Sequence, residues 1–235
     1  MLTGVSFDEF LAFETRSQVR HEFVDGNLFE MPGGTVRHNR ITGRLFAKAL
    51  PAAEGLGLEA LITDVLVRTP SGIGYYPDFF VVDPTEDSDG RVKRLPRLIV
   101  EVLSPSTEIF DRTEKWRNYQ QIPTLETYVL LSQSEPRAEV YTRQSDGVWL
   151  YTEATTGNLR LACLNLDVPL EALYDGFITF GALTFVLDFD QAEKMVAGGA
   201  PERESWRIAF GLVVGLVWLY LEVLRLLSYL QGGRR

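Results

Sequence analysis

Sulfur and imidazole are scarce in this chain of 235 residues, which carries one cysteine and two histidines. Cys163 has no partner for an internal disulfide and no neighbouring thiol for a zinc site, which fits a reducing compartment and a small core thiol. His21 and His38 lack ligand-like spacing to each other and read as structural or surface groups. Positive charge is also short. The net charge is -9, with 17 Lys and Arg against 26 Asp and Glu through Asp175 and six of each after it. This argues against binding nucleic acid by bulk electrostatics, because phosphate attraction needs a locally positive surface. Any such surface is then a patch, and two are candidates: Arg37, Arg40, Arg44 and Lys48 at helix-like spacing, and Arg91, Lys93, Arg94 and Arg97 in a loop. Met1-Leu2-Thr3-Gly4 lacks the basic and apolar regions of a secretory signal, so the first domain is expected to stay in the cytoplasm.

What is present is a chain of ordinary globular composition, long enough for one substantial domain and an appendage. Ser6 with Glu9 forms a capping box for a short helix over Ser6 to Glu14, anchored by Phe7, Phe10, Leu11 and Phe13. Phe23-Val24, Asp25-Gly26-Asn27 and Leu28-Phe29 read as a hairpin. Ile41, Leu45, Phe46 and Leu50 recur at helical period, and Pro51 is expected to stop that helix. Leu58 to Thr69, Tyr75 to Val82 and Leu98 to Leu103 read as strands, the latter two central. An amphipathic helix over Ser106 to Gln121, a buried strand over Thr127 to Leu131, and a hairpin of Arg137 to Thr142 with Val148 to Thr152 complete an α/β domain with a mixed sheet.

Beyond Asp175 the character changes, so domains of residues 1–175 and 176–235 are expected. Ile208 to Leu230 is apolar except for Glu222 and Arg225 and as a helix would span about 34 Å, enough for a bilayer core. Those two charges are three residues apart and can pair on one face. Its continuous hydrophobicity favours a membrane span over a buried helix or an oligomer seam.

Two carboxylates stand where burial makes charge costly. Asp78 precedes the apolar run Phe79 to Val82, and Glu101 interrupts the run Leu98 to Leu103. A hard divalent cation, Mg²⁺ or Mn²⁺, accounts for both, since it takes oxygen ligands and completes its shell with water. Asp111, Lys115 and Tyr119 follow at intervals of four, on one helix face. The ordered blocks are Arg20-His21-Glu22-Phe23-Val24-Asp25-Gly26, Tyr76-Pro77-Asp78, Val100-Glu101-Val102-Leu103-Ser104-Pro105-Ser106-Thr107, then Asp111, Lys115, Tyr119 and Glu126-Thr127-Tyr128-Val129-Leu130. Together they make residues from about Ser6 to Asp175 resemble the Uma-type restriction endonucleases of the PD-(D/E)XK superfamily.

The resemblance implies a restriction-endonuclease-like sheet flanked by helices, with Asp78 and Glu101 holding the metal and the Val102 carbonyl as a further ligand. The superfamily lysine two positions after the glutamate is replaced here by Leu103. Lys115 on the next helix matches the Uma-type pattern instead, as a charge-stabilising or water-orienting group. Glu22 matches a glutamate supporting the metal shell, and Tyr119 a recurrent helix tyrosine. The implied function is a metal-dependent endonuclease acting on DNA, in a fold class that often dimerises. The alternative is an inactive nuclease-fold binding module anchored to a membrane. The tail, from Leu183 through Asp190, Gly199-Ala200-Pro201, Trp206, and Ala209 through Leu227, resembles the C-terminal end of Bax-inhibitor-like bacterial membrane proteins. Only about 50 residues of that resemblance are present, which suggests a fusion.

Overall fold

The computed structural model describes residues 4–31 and 33–174 and, in the tail, the five helical positions Val213, Leu216, Val217, Tyr220 and Leu224. The chain divides into two compact units, Met1–Tyr174 and Asp175–Arg235. Among the described residues no helix is long and apolar enough to cross a membrane. The run 208–230 expected to do so lies mostly outside them.

Helix α1 (Phe7–Glu14) starts at the expected capping box, with Ser6 and Glu9 each closing on the other's backbone. The hairpin follows as β1 (His21–Val24) and β2 (Asn27–Glu30). Asp25 and Gly26 turn between them at φ of 50° and 77°, the left-handed pair that a two-residue hairpin turn requires and that glycine adopts without strain. Phe7, Phe10 and Phe23 pack ring on ring with centroids 5.2 to 5.7 Å apart, fixing α1 to β1.

Helix α2 (Val36–Gly55) begins where Thr35 accepts from the His38 N–H at 3.1 Å. Pro51 was expected to end it, and does not. Ala49 and Ala53 on either side are fully buried, and their packing offsets the roughly 3 kcal/mol that an interior proline costs. The expected strand from Leu58 to Thr69 is two, β3 (Glu59–Ile62) and β4 (Leu66–Arg68), because Thr63 and Asp64 turn at positive φ. The expected strand from Tyr75 to Val82 also divides, into β5 (Gly74–Tyr75) and β6 (Phe79–Val82), at Tyr76-Pro77-Asp78. Pro77 supplies no N–H to a ladder, so the strand breaks there and its halves join different sheets.

After β7 (Val92–Lys93) come β8 (Pro96–Leu103), the short helix α3 (Glu108–Phe110), a π-helical stretch (Asp111–Lys115) and α4 (Trp116–Tyr119). Strands β9 (Thr127–Ser132), β10 (Ala138–Arg143), β11 (Trp149–Ala154), β12 (Asn158–Leu161) and β13 (Leu166–Pro169) lead to α5 (Glu171–Tyr174). The main sheet has the order β11-β10-β9-β8-β6-β3, the small one β2-β1-β5-β4-β7, and β12 pairs with β13. In the main sheet β8 and β9 are parallel, with α3, the π stretch and α4 as their crossover, and the other pairs are antiparallel. The mixed α/β architecture is as expected from the sequence. β6 is buried throughout and β8 nearly so, as continuous apolar strands covered on both faces must be. Phe80, Ile99, Leu103, Tyr119, Tyr128 and Leu130 belong to the largest core cluster described. On β8 the period of two puts Glu101 on the same face as Ile99 and Leu103.

Candidate active site

Asp78 follows the break that Pro77 imposes, and its carboxylate and backbone N–H hold it against the C-terminal half of β8. Its Oδ2 accepts from the Val102 N–H at 2.7 Å, and its own N–H points to Glu101 Oε2 at 3.3 Å. The two carboxylates that the sequence singles out are therefore adjacent in space, each tied to the backbone of the other's strand. Thr63 adds a backbone bond to the Asp78 carbonyl at 3.3 Å, so the turn after β3 buttresses the same point.

The crossover helix supplies the cation. Lys115 Nζ lies 3.0 Å from Glu22 Oε1, 3.2 Å from Glu101 Oε1 and 3.3 Å from Asp111 Oδ1. The Tyr119 hydroxyl donates to the same Glu101 Oε1 at 3.1 Å. Asp111, Lys115 and Tyr119 do share one buried face, although 111–115 winds as a π rather than an α helix. Such stretches are frequent at functional sites, because the wider turn re-aims side chains. Asp111 Oδ2 accepts from Thr107 Oγ1 at 2.8 Å, and Thr107 meets the Ser104 hydroxyl at 2.8 Å. All five residues expected at the site, Glu22, Asp78, Glu101, Lys115 and Tyr119, are thus brought together.

Two further residues at the site carry no sequence signal. His38 reads as a structural or surface group, yet its Nε2 lies 3.0 Å from Asp78 Oδ2. Nothing local in the sequence could show that the first turn of α2 faces Asp78. Glu14, buried at the end of α1, accepts from the His21 N–H at 3.0 Å and from the Tyr76 hydroxyl at 3.3 Å, and it meets the His21 ring at 3.1 Å. It clips together the residue before Glu22 and the residue two before Asp78. His21 belongs to that clip and not to the carboxylate cluster.

Electrostatics set the character of the site. Burial pushes the Glu101 carboxyl well above its ordinary value, opposed by the Lys115 charge and reinforced by Asp78, Asp111 and Glu22. Burial works against the Lys115 ammonium, but Glu101, Glu22 and Asp111 outweigh it and keep it charged far above the usual lysine range. At His38 burial again opposes the charge, and the Asp78 carboxylate raises the ring above its ordinary value. The Tyr119 hydroxyl is driven up by burial and by Glu101, so it stays a donor.

Four carboxylates face one lysine and one histidine, an excess of negative charge in a nearly dry site. Glu22 Oε1 and Asp111 Oδ1 are buried without a hydrogen bond, although each faces the Lys115 ammonium. Among the described residues no three His, Cys, Asp or Glu side chains converge as a ready-made ligand set. A fully enclosed protein cage of the zinc type is not built from them. Magnesium-like ions need less, since they keep several waters and take one or two carboxylates. Asp78 and Glu101 have the chemistry for that kind of site.

Of the two basic patches, the loop cluster is largely paired within the chain. Lys93 is buried, donating to the Asp87 carbonyl at 2.8 Å and lying 3.3 Å from Glu59, while Arg94 pairs with Asp89 and Arg97 with Glu126. Arg91 is exposed and donates to the Thr15 hydroxyl at 3.3 Å. Arg37, Arg40, Arg44 and Lys48 do lie along α2, the helix that also brings His38 to Asp78, and Arg40 and Lys48 are exposed.

Known proteins bear on the same region. The chain is 32% identical over 175 residues to the uncharacterized Synechocystis sp. protein slr1290, covering 73% of this chain and 92% of that one. It is 33% identical over 159 residues to a second uncharacterized Synechocystis sp. protein, sll1609, covering 65% and 89% respectively. In fold it is similar to a crystal structure described as a putative nuclease belonging to DUF820 from Anabaena variabilis, with a TM-score of 0.60 at 15% identity over 72% of this chain and 97% of that one. The family described as "Bax inhibitor 1 like" matches residues 169–232, nearly all outside the described residues. The family described as "Uma2: Putative restriction endonuclease" matches residues 7–171, and with the two Synechocystis relatives it shows that this chain belongs to the Uma2 family.

Proposed function

We propose that the first unit is a metal-dependent endonuclease that hydrolyses phosphodiester bonds of DNA. The observation that carries this is the convergence of Asp78 and Glu101, 23 residues apart in sequence, with the Lys115 ammonium 3.2 Å from Glu101. Asp78, Glu101 and the Val102 carbonyl would hold Mg²⁺ or Mn²⁺. Bound there, the ion would lower the pKa of water and polarise a phosphoryl oxygen.

The chain's own residues do the rest. Lys115 offers a fixed positive charge for the oxygens of the phosphoryl group, where charge builds up during displacement. Glu22 and Asp111 keep that ammonium charged and aimed. The Tyr119 hydroxyl, in turn, fixes the Glu101 carboxylate. The exposed cations of α2 supply a local positive face for the strand, as the acidic net charge demands.

Plasmid nicking by the full chain with Mg²⁺ or Mn²⁺ tests this reading, comparing the parent with Glu101→Ala. Nicking by the parent, lost in the variant, is the expected outcome. Equal nicking by both would assign the activity to a contaminant, and none by either would leave the domain as a nuclease-fold binding module.

A further inference from the structure

The two oxygens offered for the cation beside Glu101, Asp78 Oδ2 and the Val102 carbonyl, are both already addressed by one side chain. His38 Nε2 is 3.0 Å from Asp78 Oδ2, and the Val102 backbone is near enough to favour the ring's proton. A ring set against Asp78 Oδ2 and beside the Val102 backbone fills the space in front of them. Any cation that takes the same two oxygens needs that space.

We infer that the His38 ring occupies the cation's seat, so that ring and divalent cation exclude one another at Asp78 and Val102. This rests on the metal reading above and adds a residue that the sequence motifs do not contain. His38 is then a competitor that the cation must displace, in contrast to a third ligand. Its surroundings leave room for displacement. The ring is partly exposed, at 17%, on the first turn of α2. It lies beside Gly34, where an added Cβ would stand 3.4 Å from Nδ1, and Gly33 faces open space. Without the cation the ring meets the charge of Asp78; with it, the ring is released toward the mouth of the site.

The experiment is a calorimetric titration of the full chain with Mn²⁺ at one fixed pH, comparing the parent with His38→Ala. The variant is expected to bind Mn²⁺ about tenfold more tightly, the worth of one hydrogen bond to a charged group that no longer has to be broken. Weaker binding by the variant overturns the inference and makes His38 a ligand. Unchanged binding also overturns it and leaves the metal reading standing, whereas no binding by either chain removes both. A second measurement needs no variant. The chain has two histidines, so their ring nitrogens resolve in a proton–nitrogen correlation spectrum. Saturating Mg²⁺ is expected to move the His38 signals toward those of a solvated imidazole and leave His21 in place; no movement overturns the displacement.

Discussion

At Lys115 a single ammonium answers three carboxylates, each within 3.3 Å. Removing one member of a buried ion cluster costs more than the cluster is worth, because the remaining charges stay in a dry site. Lys115→Met is therefore expected to lose about 3 to 5 kcal/mol in urea unfolding, together with nicking. A loss below about 1 kcal/mol would place the cluster in solvent. Glu101 behaves in the opposite sense. Burial holds its carboxyl well above the ordinary glutamate range, so the folded chain binds that proton more tightly than the unfolded chain does. The resulting stability is complete below the unfolded value and is lost as pH rises from there through the higher folded value. Glu101→Gln removes that fall, and its melting temperature is expected to exceed the parent's at neutral pH and to converge with it in acid. A lower melting temperature at neutral pH would show that charged Glu101 stabilises the fold. Cys163 offers a simpler test. Burial pushes its thiol up to about 12, so at pH 8 the native thiol is almost wholly protonated, whereas about one unfolded thiol in four is a thiolate. Iodoacetamide is expected to label the urea-unfolded chain quickly and the native chain slowly; equal rates would place the thiol in water. At this scale Asp78 and Glu101 were legible because charge beside or inside an apolar run is rare, and Lys115 because it follows at helical spacing and matches the family pattern. His38 and Glu14 were not, since each acts across elements at a range no local pattern encodes.

Elements were legible where one period persisted and illegible where packing overrode a local rule. The capping box of Ser6 and Glu9 and the Asp25-Gly26 turn are local devices, and both occur as the sequence implies. Pro51 inside α2 and the breaks at Thr63-Asp64 and Tyr76-Pro77-Asp78 are decided by tertiary contacts and by which sheet each half joins. The π stretch is the element on which the site depends most. It lets Asp111 and Lys115 face Glu101 while Trp116, directly after, stacks on Tyr141 with centroids 4.4 Å apart. Deleting Thr113, whose side chain only bonds the Ile109 carbonyl, is expected to restore regular α winding. The flanking turns then stay in phase, but Lys115 stands three residues after Asp111 instead of four, which shifts its ammonium from the three carboxylates it now meets. Nicking is expected to vanish with cooperative unfolding retained; retained nicking would show that the helix can absorb the change.

For the whole molecule, the division at Tyr174 falls beside the end of the Uma2 match at 171 and the residue where the composition changes. A chain ending at Tyr174 is expected to unfold in one cooperative transition and to nick as the full chain does; loss of that transition would make the tail part of the core. The sheet order could not be read from the sequence. Strands β4 and β7 are two or three residues long, and their pairing follows from the path of the chain around Pro77 and the Asp87 loop rather than from periodicity.

The site draws on β1, α2, the Pro77 break, β8 and the crossover helix, five segments spread along the chain. Its contacts close loops of 14 residues between Glu101 and Lys115, 23 between Asp78 and Glu101, and far longer ones between His38 and Asp78 and between Glu22 and Lys115. Such closures cost chain entropy before they return any attraction, and here the reward is mostly repulsion among acids. The apolar β8–β9–β10 core can condense first, leaving the carboxylates to meet last. Substitutions that relieve the acid cluster should then slow unfolding and leave the refolding rate nearly unchanged, giving kinetic persistence without faster folding.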